Sequence, residues 1–140
     1  MTVVLILLVA GCTGPVRSYG VYASKAAYTA KQVASSVATA ELAARAVRQD
    51  RIFGRTAAQT LAESAADAGS SQGTFDAIQP PDHRSDRLRS QLDDLLQQAV
   101  GILEDLRTAA RRGDVAAVER FAVPLPKLAG QLQDFAEAHQ

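Results

Sequence analysis

Apolar residues fall at alternating steps of three and four from Tyr19 to Val47: Tyr19, Ala23, Ala26, Ala30, Val33, Val37, Ala40, Ala44 and Val47. A helix turns once every 3.6 residues, so this spacing lays them on one face, and a strand would need alternation by two. The knobs are mostly alanine and valine, so a partner helix can approach closely. Alanine also dominates the composition, with 27 residues against four Phe, three Tyr and no Trp. It is the best helix former and loses no side-chain entropy on folding.

The pattern weakens at "RQDRIFGR", Arg48 to Arg55. Gly54 suits a helix C-terminus, and Thr56 with Gln59 has capping-box spacing, so a turn is expected near Phe53 to Arg55. A second stripe follows: Ala58, Leu61, Ala65, Ala68, Phe75 and Ile78. Its middle, "AGSSQGT", holds Gly69 and Gly73, each costing up to about 1 kcal/mol in a helix interior, so fraying or a kink is expected there. "QPPD", Gln79 to Asp82, ends the element, because a residue before proline disfavours helix.

The third segment carries Leu88, Leu92, Leu95, Ala99, Ile102, Leu106 and Ala109, flanked by Leu96, Val100 and Leu103. Asp82 or Ser85 can cap it, Asp86 suits the positive end of the helix dipole, and Arg111 and Arg112 suit the negative end. Gly113 is the expected terminator and Asp114 the next N-cap. The fourth stripe is Val115, Val118, Ala122, Leu125, Ala129, Leu132 and Ala136, beside Phe121, Leu128 and Phe135. Pro124 and Pro126 each remove a backbone donor, so a kink or short break is expected, with the helix resuming near Lys127.

Four amphipathic segments on short turns bury their stripes most simply as an all-α, up-down-up-down four-helix bundle over residues 19–140. The alternative is one long helix from Tyr19 to Phe75, against which Gly54 and the Thr56 cap both argue.

Ahead of the bundle, Val3 to Ala10 reads VVLILLVA, eight apolar residues without a charge. Spanning a bilayer takes about 20, whereas the hydrophobic region of a signal peptide needs about 7 to 15. Ala10, Gly11 and Cys12 follow. The stretch Val9-Ala10-Gly11-Cys12 resembles the lipobox of bacterial lipoproteins. The resemblance implies a diacylglyceryl group on the Cys12 thiol and cleavage between Gly11 and Cys12. Residues 1–11 would then be the signal peptide and 12–18 the lipidated N-terminus and linker. One acyl chain binds a membrane only reversibly, and two on one sulfur anchor stably. Gly11, Gly14 and Pro15 interrupt any helix running on from the apolar segment, and no second cysteine competes for a disulfide. A signal peptide also opens with a basic segment. The first basic residue here is Arg17, so a start codon upstream of Met1 is expected.

Fifteen basic residues balance fifteen acidic ones. Without a basic stripe the chain is a poor nucleic-acid ligand, because phosphate neutralisation dominates such binding. The two histidines, His83 and His139, fall in a turn and at the chain end, and the methionine count is one, Met1. A zinc or haem site needs several convergent ligands, so no metal or cofactor is expected. Asp93, Asp94, Glu104 and Asp105 are read as solvated helix faces. Arg112-Gly113-Asp114 spells an integrin-type tripeptide, but a terminal cation, a terminating glycine and an N-cap account for all three residues. Tyr19, Tyr22 and Lys25 belong either at a membrane surface, where aromatic rings are favoured, or at the base of the bundle.

Over "KAAYTAKQVASSVATAELAARA" (Lys25 to Ala46), "FDAIQPPD" (Phe75 to Asp82) and "DRLRSQLDDLLQQA" (Asp86 to Ala99) the chain resembles small alanine-rich helical lipoproteins of actinobacteria. That resemblance implies no activity. The functional expectation is a non-enzymatic lipoprotein on the extracytoplasmic face of the cell membrane. It would bind or scaffold an unidentified envelope protein, with no catalytic, cofactor-binding or metal residues. The alternative is an extracytoplasmic carrier of a small ligand or metal, with its site inside the bundle.

Overall fold

A computed structural model describes residues 16–50 and 54–140. Five helices follow one another: α1 (Tyr19–Arg48), α2 (Gly54–Asp76), α3 (His83–Arg111), α4 (Val115–Ala122) and α5 (Leu125–Ala138). The described residues contain no strand. Helices α4 and α5 share the fourth leg of an up-down-up-down bundle. Tyr22 meets Phe75 and Gln32 meets Ser71, so α1 and α2 run antiparallel. Tyr19 meets Arg84, which sets α3 parallel to α1.

Each leg is started and stopped by local chemistry. Ser18 caps α1 by accepting from the Val21 N–H, and Asp82 caps α3 by accepting from the Ser85 N–H at 2.7 Å. That N–H holds the Asp82 carboxyl below the ordinary aspartate range. At the end of α3, Gly113 takes φ +68°, the Asp114 N–H donates to Ala109 O at 3.0 Å and the Gly113 N–H to Ala110 O at 3.0 Å. This is the Schellman arrangement. Asp114 also starts α4, its carboxylate accepting from the Ala117 N–H at 2.9 Å.

Two boundaries differ from the sequence expectation. Gly54 opens α2 instead of closing α1, and Thr56 lies within the helix, where its carbonyl accepts from the Thr60 hydroxyl. Helix α1 stops at Arg48, and Asp50 supplies the left-handed position at φ +52°. Of the turn expected at Phe53 to Arg55, Phe53 lies outside the described residues, as do residues 51 and 52. Helix α2 also runs unbroken through Gly69 and Gly73. Burial of Ala68 and Phe75 on either side outweighs their low helix propensity.

The prolines divide the last leg. Helix α4 ends at Ala122 and α5 begins at Leu125, two residues earlier than expected. Val123 and Pro124 keep right-handed dihedrals, and Pro124 O accepts from the Leu128 N–H. The proline rings remove donors without reversing the chain.

Helix α1 is the central element. It packs along α2 and α5 and also lies across the bundle against α3. Eight of its twelve buried residues are alanine, which permits that close approach. Leu88, Leu92, Leu96, Leu103 and Leu106 of α3 are buried opposite it, so large side chains from one helix fill the space left by small ones on the other. Along α3 the buried row contains Leu96 and Leu103. Leu95 and Ile102, assigned to the stripe from sequence, are partly buried at its edge.

Candidate functional site

Beside the apolar stripe of α2 runs a second row at the same spacing: Thr60, Ser64, Asp67, Ser71 and Thr74. It faces a matching set on α1, among them Gln32, Ser35 and Thr39. Between the two helices lies an outer groove of about 430 Å³, lined by these hydroxyls with Glu63 and Asp67. Gln32, Ser70 and Ser71 continue it into an adjoining hollow lined by Lys25, Tyr28 and Thr29. The volume falls in the range of small-molecule sites, about 300–1,000 Å³.

Several of the lining hydroxyls are already engaged as donors. Thr39 donates its hydroxyl proton to Ser35 O at 3.0 Å and Thr60 donates to Thr56 O at 3.1 Å. Ser71 donates across the groove to the Gln32 side-chain oxygen at 3.4 Å. A hydroxyl that has donated its proton can only accept. Glu63 accepts from the Gln59 amide at 3.0 Å, while Asp67 has no partner among the described residues. Ser64, between these two carboxylates in sequence, is 4% exposed. None of this was singled out from sequence. The signal was present as a 3/4-spaced polar row directly beside the apolar one.

A second polar cluster occupies the end of the bundle where α2 turns into α3. Arg89 donates to Ile78 O at 3.1 Å and to Asp76 O at 2.9 Å, and its Nε lies 3.6 Å from the Asp93 carboxylate. Beside it the Tyr22 hydroxyl, the Ser85 hydroxyl and Asp93 Oδ1 are buried without hydrogen-bond partners. Burial raises the Tyr22 phenol above its ordinary value, opposed by the Arg89 charge. Burial likewise raises the Asp93 carboxyl, again against Arg89. With its fork engaged by backbone carbonyls, Arg89 locks the ends of two helices together and has little left to offer a ligand.

The sequence candidates are dispersed. Cys12 and Gly11 lie outside the described residues. Tyr22 is fully buried and rests on Phe75 with ring centroids 5.5 Å apart, so it packs the base of the bundle and is not available to a membrane surface. Tyr19 is partly buried under the Arg84 guanidinium, 3.7 Å from its ring centroid, and Lys25 is exposed. His83 is fully exposed, with Nδ1 3.4 Å from Asp86. His139 packs on the Phe135 ring, its Nδ1 2.7 Å from Phe135 O. Among the described residues no three His, Cys, Asp or Glu side chains converge as metal ligands would. Glu104 pairs with Arg107 at 2.9 Å, Asp94 and Asp105 are exposed, and Asp93 is the one of the four carboxylates drawn toward the interior. In the Arg112-Gly113-Asp114 tripeptide, the Asp114 carboxylate is taken up by the cap of α4.

The chain matches no protein-family model, no curated protein and no solved structure.

Proposed function

We propose that this chain is a lipoprotein held on the extracytoplasmic face of the cell membrane through lipid on Cys12, where it works as a non-enzymatic binding or scaffolding module of the cell envelope. The observation that carries the reading is the stretch Val9-Ala10-Gly11-Cys12 behind eight apolar residues. Its position relative to the bundle supports it. Ser18, the cap of α1, follows Cys12 by six residues, a tether of at most about 20 Å when extended. Such a tether keeps the end of the bundle that holds Tyr19 and Arg84 close to the lipid. Among the described residues no helix is long and apolar enough to cross a membrane, so attachment of this domain would fall to the lipid.

Binding is favoured over catalysis by the character of the polar surface. The groove between α1 and α2 presents hydroxyls and two carboxylates, without a residue set of the nucleophile–base kind. The hydrophobic core is built of Ala, Val, Leu and Phe with Tyr22, and the buried polar atoms of Tyr22, Ser85 and Asp93 gather at one end beside Arg89, so the broad polar surface open to a partner is the outside of the bundle.

Expression of the full chain and of Cys12→Ala, followed by membrane fractionation, tests the anchor. The native chain should sediment with membranes and resist high salt, and the variant should be neither lipidated nor cut between Gly11 and Cys12. Equal behaviour of the two proteins would remove the proposal.

A further inference from the structure

We propose that the end of the bundle beside Ser18 is a latch with Arg89 as its catch: the last turn of α2, the turn that follows it and the first turns of α3 open together while the rest of the bundle stays folded. The inference goes beyond the binding reading and does not depend on the lipid anchor.

Three polar atoms make this end costly to keep closed. The Tyr22 hydroxyl, the Ser85 hydroxyl and Asp93 Oδ1 are buried without hydrogen-bond partners, and among the described residues no other buried side-chain nitrogen or oxygen lacks one. Tyr22 and Ser85 are both 0% exposed. Buried polar groups are nearly always paired, and leaving one unpaired costs free energy. When this end opens, all three atoms regain hydrogen bonds with water. Opening is therefore easier here than where the interior is purely apolar.

What holds the end shut is concentrated on one side chain. Arg89 reaches from α3 to Ile78 O at 3.1 Å and to Asp76 O at 2.9 Å. It also lies 3.7 Å from the Asp76 carboxylate and 3.6 Å from that of Asp93. The turn itself adds little. Gln79, Pro80 and Pro81 make no hydrogen bond among the described residues, and the prolines have no N–H to give. Gly73 weakens the last turns of α2, because glycine is a poor helix former. Along α1, the last turn of α5 reaches Lys31 and Ala34, roughly 14 Å short of Tyr22.

Packing makes the closed form the resting one. The Tyr22 and Phe75 rings lie 5.5 Å apart, and Leu88 is buried at the same end. Opening parts the rings and uncovers them at the end of the bundle that leads back to Cys12. On the reading proposed above, that is the end nearest the lipid.

Hydrogen exchange of the full chain, purified in detergent and followed by mass spectrometry at low urea, tests the latch. The amides of Thr74 to Ile78 and of Asp86 to Ser90 should share one protection factor, well below that of Val33 to Ala40 on α1. Tyr22→Phe and Ser85→Ala each remove an unpaired hydroxyl and should raise the shared protection about tenfold, the order expected from relieving one such group. Arg89→Lys should lower it about tenfold. Asp105→Asn, an exposed carboxylate on α3, should leave it unchanged. Should Arg89→Lys fail to fold, the Tyr22 and Ser85 variants decide the matter alone. Equal protection at the Ser18 end and at Val33 to Ala40 would overturn the proposal, since nothing would then open locally. Unchanged or lower protection in Tyr22→Phe would overturn it as well, by showing that the hydroxyl is satisfied. Unrelated protection in the two segments, indifferent to Arg89→Lys, would replace the latch with ordinary fraying of helix ends.

Discussion

Arg89 on α3 donates to the main-chain oxygen of Ile78, eleven residues earlier, at 3.1 Å. With its second bond to Asp76 O it acts as a C-cap for α2 delivered from the next helix. The carbonyls at a helix end lack partners within the helix, and here the "QPPD" turn that follows cannot continue it. A planar fork can serve two carbonyls at once, which an ammonium does less well. Arg89→Lys should therefore destabilise the fold by about 1.5–3 kcal/mol in urea titration, the range for hydrogen bonds to charged groups. A change within about 0.5 kcal/mol would class Arg89 with ordinary surface positions.

Asp93, on the same face of α3, gives the bundle a pH dependence. Its carboxyl is raised above the ordinary value chiefly by burial. The folded state then holds this proton more tightly than the unfolded chain. The stability it contributes is present below the unfolded pKa of about 3.9 and is lost as pH rises through the higher folded value. Asp93→Asn should flatten the stability profile just above that point and be no less stable than the native chain at pH 7. Denaturation midpoints between pH 3.5 and 7 would check this. A profile that keeps its slope in the variant would assign it to another group.

The core of α3 distinguishes three adjacent positions. Leu96 is fully buried, Leu95 partly buried and Gln97 exposed. Leu96→Ala and Leu106→Ala should each cost about 2–5 kcal/mol. Leu95→Ala should cost less, and Gln97→Ala should stay within about 0.5 kcal/mol. Equal losses at Leu95 and Leu96 would mean that the stripe is centred between them.

That offset marks the limit of what was legible in the sequence. The number of legs, the Asp82 and Asp114 caps, the Gly113 terminator and the proline break all follow from local chemistry, which needs no knowledge of neighbours. The choice between Leu95 and Leu96 depends on where α1 and α2 sit relative to α3, and a run of apolar residues on adjoining positions does not record that. Phe75 holds α2 straight across two glycines by a tertiary contact with Tyr22, and helix propensity is blind to such contacts. The groove was missed for a related reason. Serine and threonine beside an alanine-rich stripe look like solvated helix surface until a second helix supplies the facing wall.

Glycine substitutions should act with opposite signs at two sites. A Cβ at Gly73 or at Gly113 would meet nothing within 4 Å, so neither position is sterically filled. Gly73 lies within α2, where alanine is the better residue, and Gly73→Ala should stabilise by up to about 1 kcal/mol. Gly113 holds φ +68°, and Gly113→Ala should destabilise by about 1–2 kcal/mol. Thermal melts of the two variants suffice. Shifts of the same sign would contradict the backbone assignment.

The proposed anchor comes down to the chemical state of one sulfur. Intact-mass and N-terminal peptide spectrometry of the native chain, extracted from membranes of a bacterium that processes lipoproteins, measures that state directly. The account predicts a mature protein that begins at Cys12 and carries a diacylglyceryl group on the thiol, with Gly11 and everything before it removed. A chain that retains Gly11, with an unmodified Cys12, would contradict it.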